Sequence, residues 1–66
     1  MKVIRTLNGF YVAASFIRFF GINQNGKEWR VVLEDGLGDV YALHRCDTEE
    51  EAQSYLDNVL SKYLLM

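Results

Sequence analysis

His44 is the only histidine of the chain and Cys46 its only cysteine, and one residue separates them. On a strand that spacing puts both side chains on one face, where an imidazole could serve as base toward a thiol. Ser15, Ser54 and Ser61 are the other candidate nucleophiles, and each would depend on the same His44. Nucleophilic catalysis also needs a group to orient the base and donors for the oxyanion, and its partners usually come from distant parts of a chain. His44 therefore reads as a half-buried strand residue and Cys46 as a small apolar residue at the strand end. No catalytic residue is expected.

Asp47, Glu49, Glu50 and Glu51 are the densest group of acids. Neighbouring helical residues diverge by about 100°, so these carboxylates cannot converge on one hard cation. Asp35-Gly36-Leu37-Gly38-Asp39 has part of the chemistry of a calcium loop without its regular spacing or closing glutamate. The same segment is too short to cradle a phosphate, and it reads as a turn. No metal and no cofactor are implied.

Basic and aromatic residues remain. Arg18, Lys27, Arg30 and Arg45, with Trp29, Tyr11 and Tyr41, fall on expected strands or their ends, a mixture that can bind phosphates by charge and bases by stacking. Arg18, Lys27, Trp29, Arg30 and Arg45 are the nucleic-acid-binding candidates. The net charge of -2 hides an asymmetry, with +4 over residues 1–33 and -6 over residues 34–66. The plain reading is a mixed, solubilising surface; the sharper one is a basic sheet face backed by an acidic helix.

The elements that position these residues are marked by turns. Asn8-Gly9 between two β-rich runs predicts a hairpin with a type I′ turn, whose two central residues need positive φ. Asn23-Gln24-Asn25-Gly26 and residues 35–39 supply two further turns. Strands are expected at about 2–7, 10–20, 28–34 and 40–46, with Trp29, Val31 and Leu33 sharing a face. A helix is expected at about 48–64. Asp47 or Thr48 caps it, Glu50 or Glu51 stands three residues on, and Ala52, Tyr55, Leu56, Val59, Leu60, Tyr63 and Leu64 form its apolar stripe. The fold class is α+β, a three- to four-stranded antiparallel meander packed on one C-terminal helix (ββββα), in a single domain over residues 1–66.

As one strand, residues 10–20 are apolar on both faces, and one helix cannot cover both. Either residues 13–20 form a short helix closed by Gly21, or the second face meets another copy; the β-branched and aromatic content favours the strand. A homodimer follows, with Tyr11, Ile17 and Phe19 at its interface, because exposed Phe and Ile would otherwise invite aggregation. A second copy also suits the size. A chain of 66 residues buries only roughly 60% of its unfolded surface, and here it has neither a disulfide nor a zinc cluster to help. The lone thiol and an N-terminus unlike a secretory signal point to the cytoplasm. The apolar run at residues 10–22 contains Arg18 and is too short to span a membrane.

Gly26-Lys27-Glu28-Trp29 running to Glu34, a glycine-containing turn, Val40-Tyr41-Ala42-Leu43, and then Asp47-Thr48-Glu49-Glu50-Glu51-Ala52-Gln53-Ser54-Tyr55-Leu56-Asp57 resembles the AP2 and phage-integrase arm-binding type of DNA-binding domain. The likeness spans residues 26–57. It implies a three-stranded sheet on a helix, with Trp29 matching the family's sheet tryptophan and Arg30 the nearest basic residue for the DNA-facing side. The family's arginine-rich first strand has no counterpart, since Phe16, Ile17, Phe19 and Phe20 surround Arg18. The expected function is accordingly a small non-enzymatic binding or protein-interaction module, with nucleic-acid binding through the sheet face as the other reading.

Overall fold

The computed structural model describes residues 2–64, with side chains through residue 62. Strand alternation decides its centre. In Glu28–Asp35 the residues Val31 and Leu33 have no exposed surface (0%), while Arg30 and Glu34 point the other way and are only half-buried. This central strand pairs antiparallel with Ile17–Asn25 on one side and Val40–Cys46 on the other. Ahead of them lies a separate hairpin of Val3–Arg5 and Tyr11–Ala13, paired Val3 to Ala13, Ile4 to Val12 and Arg5 to Tyr11. In chain order these strands are β1 (Val3–Arg5), β2 (Tyr11–Ala13), β3 (Ile17–Asn25), β4 (Glu28–Asp35) and β5 (Val40–Cys46), and α1 (Glu49–Leu64) closes the chain.

The start of α1 follows from its cap. Thr48 Oγ1 accepts the Glu51 N–H at 3.1 Å, and the Thr48 hydroxyl donates to the Glu51 carboxylate at 3.3 Å. Three glutamates then occupy the first turn and Lys62 the last, matching the helix dipole at both ends. Ala52 and Leu56 of α1 are buried with Val31, Leu33, Leu43, Ile4 and Val12, and Tyr55, Val59 and Leu60 pack on the margin. Tyr63 and Leu64, expected on the same stripe, lie outside the described side chains. Each large side chain fully buried in this layer contributes about 1.5–3 kcal/mol.

The architecture is α+β and antiparallel with one C-terminal helix, as expected, but the single meander is divided into a two-stranded and a three-stranded sheet. The expected strand at 10–20 is broken by one turn of 3-10 helix at Ala14–Phe16. Neither a continuous strand nor a helix over 13–20 forms, and Gly21 stands within β3 opposite Val32. The physical reason is coverage. A straight strand would carry two apolar faces past a single helix, whereas the break folds Ile4 and Val12 into the same core as the helix residues. Two backbone bonds fasten the break, Ala14 N–H to the Lys2 carbonyl at 2.8 Å and Gly36 N–H to the Phe16 carbonyl at 2.9 Å.

The hairpin at Asn8-Gly9 forms with a different turn from the one expected. Only Gly9 has positive φ (85°), and Asn8 does not. Gly9 N–H bonds the Thr6 carbonyl at 3.0 Å, Thr6 N–H bonds the Phe10 carbonyl at 2.8 Å, and Phe10 N–H bonds Thr6 Oγ1 at 3.2 Å. This is a three-residue loop closed by a left-handed glycine. The β4–β5 loop repeats the design, with Gly38 N–H to the Asp35 carbonyl at 3.1 Å, Asp35 N–H to the Asp39 carbonyl at 3.0 Å and Asp39 N–H to Asp35 Oδ1 at 3.0 Å. Thr6 and Asp35 are buried in equivalent roles.

Candidate functional site

Helix and hairpin residues share one core on one side of the three-stranded sheet, and the other side is left open. Pairing fixes which residues stand there. Asn23, Arg30 and Arg45 form one row across the three strands, Gly21, Val32 and Ala42 the next, and Phe19, Glu34 and Val40 a third. A shallow groove of about 340 Å³ crosses this face, floored by Val32 and Ala42 and bounded by Asn23, Arg30, Arg45, Val40 and the Leu7–Asn8 turn. The turn is tied to the sheet by Leu7 N–H donating to the Ala42 carbonyl at 2.9 Å.

Two bulges create this arrangement. In β5, Val31 pairs with His44 and Val32 with Ala42, so Leu43 is the extra residue. Leu43 is buried in the core while His44 stacks on Tyr55 with ring centroids 4.2 Å apart, so both serve the helix side. Ala42 and Arg45 are thereby left on the open side. In β3 the extra residue is Arg18, between Ile17 opposite Asp35 and Phe19 opposite Glu34. Bulges bend a strand and re-aim its side chains in this way.

The charges on the open face are mixed. Arg30 Nε meets Glu28 at 2.8 Å, and the largely exposed Arg18 meets Glu34 at 3.6 Å. Arg45 forms no ion pair among the described residues. It stands directly opposite Arg30 in the ladder, and like charges in that position repel.

Of the residues singled out in the sequence, Arg30 and Arg45 are brought together. Arg18 lies at the β3 bulge and Lys27 at the exposed tip of the β3–β4 turn. Trp29 is on the opposite face from Arg30, packed against the core. Tyr41 is likewise on the core side, with Phe10 edge-on to it at 6.3 Å. The basic and aromatic residues are thus divided between faces, and Phe19 is the aromatic side chain in the open-face rows. Among the three interface candidates, Phe19 is exposed on the open face, Tyr11 is exposed on the β1–β2 hairpin, and Ile17 is half-buried against the core. They do not form one patch.

No protein-family model, curated protein or solved structure matches the chain.

His44 and Cys46 are both committed to packing. The Cys46 Sγ has two carbonyl acceptors within reach of its single S–H, Thr48 at 3.4 Å and Trp29 at 3.7 Å, while His44 lies flat against Tyr55. Asn23, Val40 and Leu7 belong to the open face but were not singled out in the sequence; their membership depends on register and on a turn folding back over β5. Asp35 was also missed as an organiser. It accepts Leu37 N–H at 2.9 Å and Asp39 N–H at 3.0 Å on Oδ1, and the Tyr41 hydroxyl at 3.2 Å on Oδ2. Partial burial, the charges of Asp35 and Asp39, and that hydrogen bond hold the Tyr41 phenol above its ordinary value of 10.0. Among the described residues no helix is long and apolar enough to cross a membrane.

Proposed function

We propose that this chain is a small non-enzymatic protein-interaction module, homodimeric, that works through the open face of β3–β4–β5. The observation that carries the reading is the one-sided coverage of the sheet. α1 and the strands of the β1–β2 hairpin fill one side; on the other the Leu7–Asn8 turn borders the groove and Val32 at its floor is 9% exposed, while Phe19 and Val40 are about half exposed, at 51% and 57%. Exposed apolar groups beside a groove rimmed by polar ones are the usual make-up of an interaction surface. The lone thiol, half-buried with carbonyl acceptors in reach, suits a reducing cytoplasm. Solution mass across a dilution series tests the reading: a mass of twice 7.6 kDa that falls on dilution is expected, and a monomer at every concentration contradicts it.

A second reading, nucleic-acid binding by the same face, is favoured by the row Asn23–Arg30–Arg45 and by the sheet-on-helix form that the AP2-type resemblance implies. Mobility-shift experiments on short duplexes distinguish it. Binding that weakens as salt rises and is reduced by Arg30→Ala and Arg45→Ala supports it, and no binding at low salt ends it.

A further inference from the structure

Along β4 the outward residues read Glu28, Arg30, Val32 and Glu34, with Arg30 and Glu34 spaced evenly about an apolar centre; within the chain Arg30 is paired with Glu28 and Glu34 with the largely exposed Arg18, and Arg45 beside Arg30 has no ion pair among the described residues. Across the sheet the centre is the row Gly21–Val32–Ala42, small and uncharged, with the basic row Asn23–Arg30–Arg45 on one side and Phe19–Glu34–Val40 on the other. This pattern is complementary to itself under one operation. A two-fold axis lying in the plane of the interface, over Val32 and perpendicular to the strands, reverses the order of rows in the second copy. We propose that the open face binds a second copy of this chain in that arrangement, with Arg30 of each copy facing the partner's Glu34. The proposal rests on the reading that this face is the working surface.

The other in-plane axis, parallel to the strands, is rejected by charge, because it sets the arginine row of one copy against the arginine row of the other. With the perpendicular axis, the partner's Glu34 meets the Arg30–Arg45 pair and relieves the repulsion of two arginines at directly opposite positions of the ladder. The exposed Phe19 and Val40 of each copy then lie over the partner's Asn23 and the stem of the partner's Arg45. Packed sheets cross at about 30°, so the pairing is closest near the axis, where the small central row lets the layers approach.

The test uses two variants, Arg30→Glu and Glu34→Arg, and solution mass over a dilution series, with circular dichroism to check folding. Each variant alone pairs like charges across the axis and should weaken self-association by at least about tenfold. An equimolar mixture should recover it, because one Arg30→Glu chain and one Glu34→Arg chain form two opposite-charge pairs across the interface. Residues 30 and 34 of one strand are about 13 Å apart at 3.3 Å per residue, so no pairing within a chain can cause that recovery. If a charge reversal prevents folding, Arg30→Gln and Glu34→Gln take its place; each alone should weaken the dimer, and an equimolar mixture should recover part of it, because the mixed dimer regains one of the two Arg30–Glu34 pairs. A wild-type dimer unaffected by these substitutions, or a mixture that stays monomeric, overturns the arrangement while leaving homodimerisation intact. A wild-type monomer that instead shifts a short duplex overturns both in favour of the nucleic-acid reading.

Discussion

Arg30 and Arg45 stand opposite each other across the β4–β5 ladder, and Glu28, at 2.8 Å from Arg30, is the one acid paired with either among the described residues. A fold selected for stability alone would not keep two like charges there, since a cross-strand pair contributes or costs roughly 0.2–1 kcal/mol. Arg45→Thr should therefore raise the unfolding free energy of the dilute protein by a few tenths to about 1 kcal/mol while weakening self-association. Urea titration at low concentration, paired with solution mass, checks both; a fall in stability would mean that Arg45 has a structural task instead.

Leu33 has no exposed surface and sits in the core shared by helix and hairpin. Leu33→Ala should cost about 2–5 kcal/mol, a large part of the total for so small a chain. Denaturant unfolding reads this directly. A loss under about 1 kcal/mol would show that the hairpin and helix do not close over the strand as described.

Asp35 is buried and holds the β4–β5 turn through both carboxylate oxygens. Removing it leaves two backbone N–H groups and a phenol without their acceptor, so Asp35→Ala should cost roughly 2–4 kcal/mol. Asp35→Asn keeps one acceptor oxygen and should lose less. Equal losses for the two variants would place the value of Asp35 in packing and not in its hydrogen bonds.

Tyr41 links that turn to alkaline pH. The fold favours the protonated phenol, so the stabilisation is complete below the unfolded value of about 10 and is lost as pH rises through the higher folded value. Tyrosinate absorbance should show a late step on the alkaline side, and Tyr41→Phe should remove it. If the late step persists in Tyr41→Phe, another tyrosine is responsible.

Thr48 begins the helix with a cap bond of 3.1 Å to the Glu51 N–H. Thr48→Ala should cost about 1 kcal/mol, and Thr48→Ser should keep most of the stability. Thermal unfolding of the three proteins orders them; a Thr48→Ala protein equal to the parent would mean that the N-terminal turn of α1 frays without cost.

Much of this was legible in local pattern. The cap at Thr48, the inward set Val31 and Leu33, and the stripe through Ala52 and Leu56 each follow from a period of 3.6 or 2 and a matching end signal. The break at Ala14–Phe16 was not, because it is decided by competition for the single covered face of the sheet, which no local residue announces. The opposition of Trp29 and Arg30 could have been read, since consecutive strand residues point to opposite faces. The meeting of Arg30 with Arg45 could not. Without the bulge at Leu43, simple alternation puts Arg45 on the side of Leu43 and Tyr41, and no glycine in β5 marks the irregularity. The twin turns did leave a signal, an oxygen-bearing side chain three residues before a glycine in both Thr6-Leu7-Asn8-Gly9 and Asp35-Gly36-Leu37-Gly38.

The open face as the surface of self-association is tested most directly by backbone amide chemical shifts recorded as the protein is concentrated. Shifts that move together with solution mass and concentrate at Phe19, Gly21, Asn23, Arg30, Val32 and Ala42 are the predicted result. Changes confined to the outward side of α1, around Gln53 and Asp57, or to Tyr11 on the hairpin would contradict it.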